Sequence, residues 1–175
     1  MSSSRWRHLH VLAAAALAVL VAGTPLRAEQ AIAPPQPDTL SYRQLAPAQK
    51  AFVDDLERRT FDWFWQSADP YTGLVPDSWP NHTFSSIAAI GFGLTAYGVG
   101  VERGYVSREQ AGQRTLATLR FLAAAPQNDG EDAAAGYHGF FYHFLDMHTG
   151  RRYGRQVELS SVDTTLLMAG VLFAE

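Results

Sequence analysis

The segment Ile87-Ala88-Ala89-Ile90-Gly91-Phe92-Gly93-Leu94-Thr95-Ala96-Tyr97-Gly98-Val99-Gly100-Val101 offers water only two side-chain polar groups, the hydroxyls of Thr95 and Tyr97. A helix of that composition has no face to give to solvent, so the reading is a helix over about 84–103 buried on nearly all sides. Gly91, Gly93, Gly98 and Gly100 each cost about 1 kcal/mol in helix propensity relative to Ala. Close packing against neighbouring helices is the expected compensation. The run is short of the ~20 apolar residues that span a bilayer.

Around it the periodicity changes. A helix over about 48–65 puts Phe52, Leu56, Thr60, Phe61 and Phe64 on one stripe and Lys50, Asp54, Glu57 and Arg58 on the other, the pattern of an amphipathic surface helix. A third helix opens on the Ser107-x-x-Gln110 capping signature and runs to about Ala125, with Leu116, Leu119 and Leu122 set against Arg108, Gln113, Arg114 and Arg120. A fourth, about 162–174, is apolar on nearly every side beyond its first turn. Aromatic and β-branched residues in 136–145 and 156–159 flank the turn His148-Thr149-Gly150-Arg151, which predicts a short β-hairpin. No internal repeat is evident. The order exposed, buried, exposed, buried predicts a mainly α fold, part of a double-layered α/α toroid with about four helices present. A compact bundle would make every helix amphipathic.

The 175 residues contain no cysteine, which excludes a disulfide scaffold, a zinc–cysteine site and thiol chemistry. At the N-terminus, Arg5, Arg7, His8 and His10 precede an apolar run from Leu9 to Ala22, and Ala28 follows as a small residue: a secretory signal pattern over 1–28. Its removal would take away Arg5, Arg7 and Arg27 and no acid, making the remainder three charges more negative than the chain's −3. An acidic, exported protein is a poor partner for nucleic acid, and cleavage leaves no membrane segment. Pro34, Pro35, Pro37 and Pro47 mark 29–47 as an extended linker. The folded part, 48–175, is then read as the N-terminal portion of a larger, truncated toroid domain. Such a piece would expose the flanks of its inner helices.

Chemistry belongs on the loops before the two buried helices, which share one rim if those helices are parallel. One loop runs from Asp69 to His82, the other from the hairpin through Arg155 to Asp163. Both mix acids, amides and aromatics, as sugar-cleaving sites do: rings stack on pyranoses and paired carboxylates act at the glycosidic bond. Glu158 and Asp163 are the candidate catalytic carboxylates. Asp163 also fits a Ser160-x-x-Asp163 helix cap, a role compatible with catalysis, and Glu158 also fits a loop acid paired with Arg151, Arg152 or Arg155. Asp77 and Trp79 are candidate substrate-binding residues, or else a proline-bracketed turn with Trp79 over the core. Trp63 and Trp65 cannot share a helix face, so at least one is packing. Tyr71 reads as a turn residue. Strand alternation across His138–His148 would put His138, Tyr142, Asp146 and His148 on one face and His143 on the other. These histidines read as hydrogen-bonding groups of a polar pocket, because their spacing matches no zinc pattern. No metal or cofactor is expected.

Taken in order, Thr72-Gly73-Leu74-Val75-Pro76-Asp77-Ser78, the run 85–96, Gly139-Phe140-Phe141-Tyr142-His143-Phe144-Leu145-Asp146 and the run Glu158–Gly170 resemble the glucoamylase-like domain of bacterial endo-β-1,2-glucanases and cyclic β-1,2-glucan synthases. The resemblance covers about 52–175. It implies an α/α toroid of six helical hairpins and a metal-independent glycoside hydrolase, periplasmic or secreted, acting on a β-glucan oligosaccharide or polysaccharide. The family domain is more than twice as long as this chain. Glu158 and Asp163 fall on acidic positions of its motif, without roles as acid or base. The competing reading is a non-catalytic carbohydrate-binding or helical interaction module, whose rim aromatics stack on glycan and release no product.

Overall fold

A computed structural model describes residues 41–130 and 133–175. The signal pattern and the linker as far as residue 40 lie outside the described residues. The chain divides into two compact units at Gln44/Leu45. Of the first, residues 41–44 are described: a single 3-10 turn, Tyr42–Gln44, in which Gln44 Oε1 accepts from the main-chain N–H and the hydroxyl of Ser41.

The second unit carries four α-helices: α1 Pro47–Ser67, α2 Ile87–Glu102, α3 Arg108–Ala124 and α4 Ser161–Phe173. The expected helices therefore form, within a few residues at each end, and the fold is mainly α. Pro47, assigned to the linker by sequence, is instead the first residue of α1, where its missing N–H costs nothing. Helix α3 begins with the predicted capping box, Gln110 N donating to Ser107 Oγ (3.1 Å) and Ser107 N to Gln110 Oε1 (2.9 Å). Among the described residues no helix is long and apolar enough to cross a membrane.

Helix α2 is the most buried of the four, but not on every side as expected: Phe92 is 52% exposed. Ile87, Ile90, Leu94 and Tyr97 are at most 2% exposed, and they join Leu74, Phe141, Leu145, Leu167 and Ala111 in two adjoining apolar clusters. The glycines have the expected purpose. A Cβ on Gly91 would fall on the Leu166 carbonyl of α4, and one on Gly170 would fall on the Gly91 backbone. Gly100 likewise makes room for the Phe61 ring of α1. Gly98 lies against Phe173, near the C-terminal ends of α2 and α4, so the two helices run parallel.

Other expectations need correction. Helix α4 buries Thr164, Leu167 and Gly170 only, while Val162, Met168, Leu172 and Phe173 are exposed. Its apolar character all round is real, but α2 covers a single face. On α1 the apolar stripe is covered only at its C-terminal half: Phe61 is buried, whereas Phe52 and Leu56 are exposed. Val53, Leu56, Phe64, Phe92 and Val99 consequently line an open apolar groove of about 510 Å³ between α1 and α2. On α3 the buried residues are Ala111 and Thr118, and Leu116 is exposed. Arg114, read as a polar-face residue, lies inward with its guanidinium 4.0 Å from the Trp65 ring centre.

Among the described residues there are also four short strands: β1 Phe84–Ser86, β2 Gly136–Tyr137, β3 Phe140–Phe141 and β4 Phe144–Asp146. The short hairpin is β2–β3, turning at His138 and Gly139. Strand β4 pairs with β1, antiparallel, with Ser85 opposite Leu145. Residues 156–159 do not form the hairpin arm expected across 148–151; pairing there is reduced to isolated bridges, Leu145 with Arg152 and Tyr142 with Leu159. The return past that turn bonds β4 on the edge opposite β1, with Asp146 N donating to the Arg151 carbonyl (2.7 Å) and Tyr153 N to the Phe144 carbonyl (3.0 Å), and the chain leaves strand geometry before 156–159.

One local repeat escaped the sequence reading. Asp69-Pro-Tyr-Thr-Gly73 and Asp146-Met-His-Thr-Gly150 share the pattern Asp-x-x-Thr-Gly and the same geometry. In each, one aspartate oxygen accepts from two main-chain N–H groups and the threonine hydroxyl. The glycine N–H returns to the aspartate carbonyl at 2.8 Å in both, and the glycines have φ +71° and +67°. Both glycines press on α3, Gly73 against Thr118 and Gly150 against Phe121. The two loops that frame the rim thus stand on one helix.

Candidate functional site

Residues 141–143 are stitched between the N-termini of α2 and α4. Ile87 N donates to the His143 carbonyl (3.1 Å), and Ser160 N donates to the Phe141 carbonyl (3.0 Å). Phe141 N donates to Thr164 Oγ1 of α4 (3.0 Å), and His143 N donates to the Glu158 carbonyl (2.9 Å). The loop before α2 joins the same edge where Tyr153 packs on Phe84, with its hydroxyl 3.3 Å from Thr83 Oγ1. The loops before the two parallel helices therefore meet on one rim.

On that rim the His143 ring stands between the two carboxylates singled out by sequence. Nδ1 lies 2.9 Å from Glu158 Oε1, a hydrogen bond, and Nε2 lies 3.5 Å from Asp163 Oδ1, an ion-pair distance. The Phe144 ring stacks on the imidazole at 3.8 Å and fixes its plane. The Ser160 hydroxyl donates to Asp163 Oδ2 (2.5 Å), and Asp163 N donates to Ser160 Oγ (3.1 Å). Capping and the carboxylate cluster thus coexist at Asp163, in the first turn of α4, where the helix dipole favours an anion. The Glu158 carboxyl is held below its ordinary value, first by a hydrogen bond from its own main-chain N–H and then by His143. Partial desolvation opposes this, and the charges of His143 and Arg152 add smaller lowering contributions.

The other expected residues lie apart from this cluster. Asp77 is exposed and uses its main-chain N–H on the Phe84 carbonyl (3.1 Å). Trp79 does not cover the core: it is 72% exposed, edge-on to His82, and precedes a cis proline. His138 sits at the tip of the β2–β3 hairpin with φ 50° and packs on Tyr137. Tyr142 is half-buried beneath the Arg152 guanidinium, 4.3 Å from its ring centre. The common face expected for His138, Tyr142, Asp146 and His148 does not exist. The chain turns at 138–139 and leaves strand geometry at 142–143, and Asp146 is spent on its turn. Among the described residues no group of three His, Asp or Glu is placed to hold a metal ion. Tyr71, 83% exposed, is the turn residue expected, and Trp65 rather than Trp63 packs inward, against Phe61 and Tyr97.

Arg152 is a residue whose part the sequence did not disclose. Its Nε donates to the Val157 carbonyl and its Nη2 to the Arg155 carbonyl, both at 2.6 Å. It thereby ties down the loop that delivers Glu158. The basic run Arg151-Arg152 was visible, but its main-chain targets depend on a loop shape that no periodicity encodes.

No family model matches the sequence. The chain is 29% identical over 141 residues to an exo β-1,2-glucooligosaccharide sophorohydrolase (non-reducing end) of Parabacteroides distasonis, spanning 78% of this chain and 18% of that enzyme. Its structure is similar to the crystal structure of a β-1,2-glucanase from P. distasonis, with TM-score 0.60 and 27% identity, over 77% of this chain and 18% of the other. It is similar also to an endo-β-1,2-glucanase from Chitinophaga pinensis in complex with sophorotriose and glucose, with TM-score 0.58 and 28% identity, over 77% of this chain and 31% of the other. In accord with the resemblance read from its motifs, the chain is similar to β-1,2-glucan hydrolases and glucoamylase-like proteins, and it spans less than a third of each of those compared.

Proposed function

We propose that this chain forms part of a glycoside hydrolase that cleaves β-1,2-linked glucan by carboxylate acid/base chemistry. The observation that carries the reading is the Glu158–His143–Asp163 cluster, set on the rim where two parallel inner helices begin. In glycoside hydrolysis one carboxyl group protonates the leaving oxygen while a carboxylate activates water or attacks the anomeric carbon. An ionised, hydrogen-bonded Glu158 is suited to the second role. The similarity to a sophorohydrolase and to an endo-β-1,2-glucanase supports the β-1,2 linkage. The apolar run Leu9–Ala22 behind Arg5 and Arg7 supports export to the periplasm or medium.

The test is product analysis with the full-length protein on β-1,2-, β-1,3- and β-1,4-glucans. The reading predicts release of short β-1,2-linked products from the first substrate alone. A second reading, a non-catalytic glycan-binding module, draws on the exposure of Trp79. It predicts retention on β-1,2-glucan without product, weakened by Trp79→Ala.

A further inference from the structure

We propose that Glu158 is the carboxylate that meets substrate, and that His143 and Asp163 are positioning residues behind it, anchored by Ser160. The inference rests on the hydrolase reading above and divides roles within it. Side-chain exposure orders the three groups: Glu158 is 64% exposed, His143 30% and Asp163 15%. Two reacting carboxylates must leave a gap between them of roughly 5–9.5 Å for the glycosidic bond and, in inverting enzymes, a water. Here the imidazole fills the line from Glu158 Oε1 to Asp163 Oδ1, so a sugar has no place between them.

Asp163 is also spent. One oxygen faces His143 and the other takes the Ser160 hydroxyl, while the α4 N-terminus stabilises its anion. Such a carboxylate orients a ring rather than exchanging a proton with a substrate. The His143 main chain is pinned by Ile87 and Glu158, and its ring is stacked on Phe144, so the ring presents Nδ1 to Glu158 in one fixed direction. The 3.5 Å contact to Asp163 is of the kind that tightens when substrate binds. The titratable or charged groups facing the ring are Glu158 from the loop and Asp163 from α4, with Arg152 acting on Glu158. It follows that the second reacting carboxylate is not Asp163.

The experiment combines kinetics and nitrogen NMR on the full-length protein. Glu158→Gln lowers kcat on β-1,2-glucan by about 1,000-fold or more, within the range of a lost acid or base. Asp163→Asn and His143→Asn lower kcat by about 10–100-fold, the range of outer-shell partners, with KM unchanged. His143→Asn also moves the acid limb of the kcat/KM profile to higher pH. Ser160→Ala gives a smaller loss that Ser160→Thr restores. In the ring spectrum Glu158→Gln shifts His143 Nδ1 and Asp163→Asn shifts Nε2. A loss in Asp163→Asn as deep as in Glu158→Gln, or ring resonances unmoved in an active enzyme, overturns the division of roles. Absence of hydrolysis by the unmutated protein instead overturns the hydrolase reading, and the role of Glu158 with it.

Discussion

Gly91 and Gly170 meet backbone to backbone, with no side chain between them: a Cβ on Gly170 would lie on the main chain of Gly91. That contact brings α2 and α4 together along their length and so sets the two helix N-termini against residues 141–143. The position of the candidate site depends on two missing methyl groups.

Gly91→Ala and Gly170→Ala should each destabilise the fold by about 1–3 kcal/mol or more, since the obstructing atoms are backbone and cannot rotate aside. A Cβ at Gly112 on α3 would meet no atom of another element within 4 Å among the described residues. Gly112→Ala should therefore stabilise by up to about 1 kcal/mol through helix propensity. Denaturant unfolding of the three variants measures both signs.

The paired Asp-x-x-Thr-Gly turns predict acid sensitivity. Burial pushes Asp69 and Asp146 up, but hydrogen bonds from Thr72 and Tyr71, and from Thr149 and His148, together outweigh it, and both carboxyls are lowered. A depressed folded-state value means that the stabilisation is present above the ordinary value of 3.8 and is lost as pH falls through the lower one. Asp69→Ala or Asp146→Ala should cost about 1–3 kcal/mol at neutral pH, the range for hydrogen bonds to a charged group. The double variant should lose much of the fall in stability seen between about pH 5 and pH 2. An unchanged acid limb in pH-dependent thermal unfolding would contradict this account of the turns.

Arg114 joins α3 to the end of α1, donating to the Trp65 carbonyl (2.5 Å) while lying over the Trp65 ring. Arg114→Met should cost about 1–3 kcal/mol, combining a charged hydrogen bond with a cation–π contact. Arg114→Lys should recover only part, because a point charge cannot both stack and donate in the plane. Burial raises Tyr97, with Arg114 opposing. The sign is then alkaline: the Tyr97 contribution is full below 10.0 and is lost as pH rises through the higher folded value. Spectrophotometric titration of tyrosine alongside unfolding curves checks the direction.

Helices were legible because their signals are local. Ser107 and Gln110 announce α3, and the apolar run through Ile87–Val101 announces a buried α2 whose glycines pack as their cost implied. On α4 the apolar composition tells which faces can be covered, not which ones are. At the site, the pairing of Glu158 with Asp163 was visible as two acids beside a helix start. The imidazole between them was not, since strand alternation assumes a continuous strand and the chain breaks at Tyr142 and His143. Likewise, the kinship of Asp69–Gly73 and Asp146–Gly150 rests on five residues in each copy, and only their shared footing on Thr118 and Phe121 of α3 makes it recognisable.

The measurement closest to the central claim is the rate of β-1,2-glucan cleavage by the full-length protein before and after Glu158→Gln, with folding checked by circular dichroism. The account predicts cleavage by the unmutated protein and a loss of about 1,000-fold or more in a folded Glu158→Gln variant. A folded variant that cleaves at a near-normal rate would contradict it.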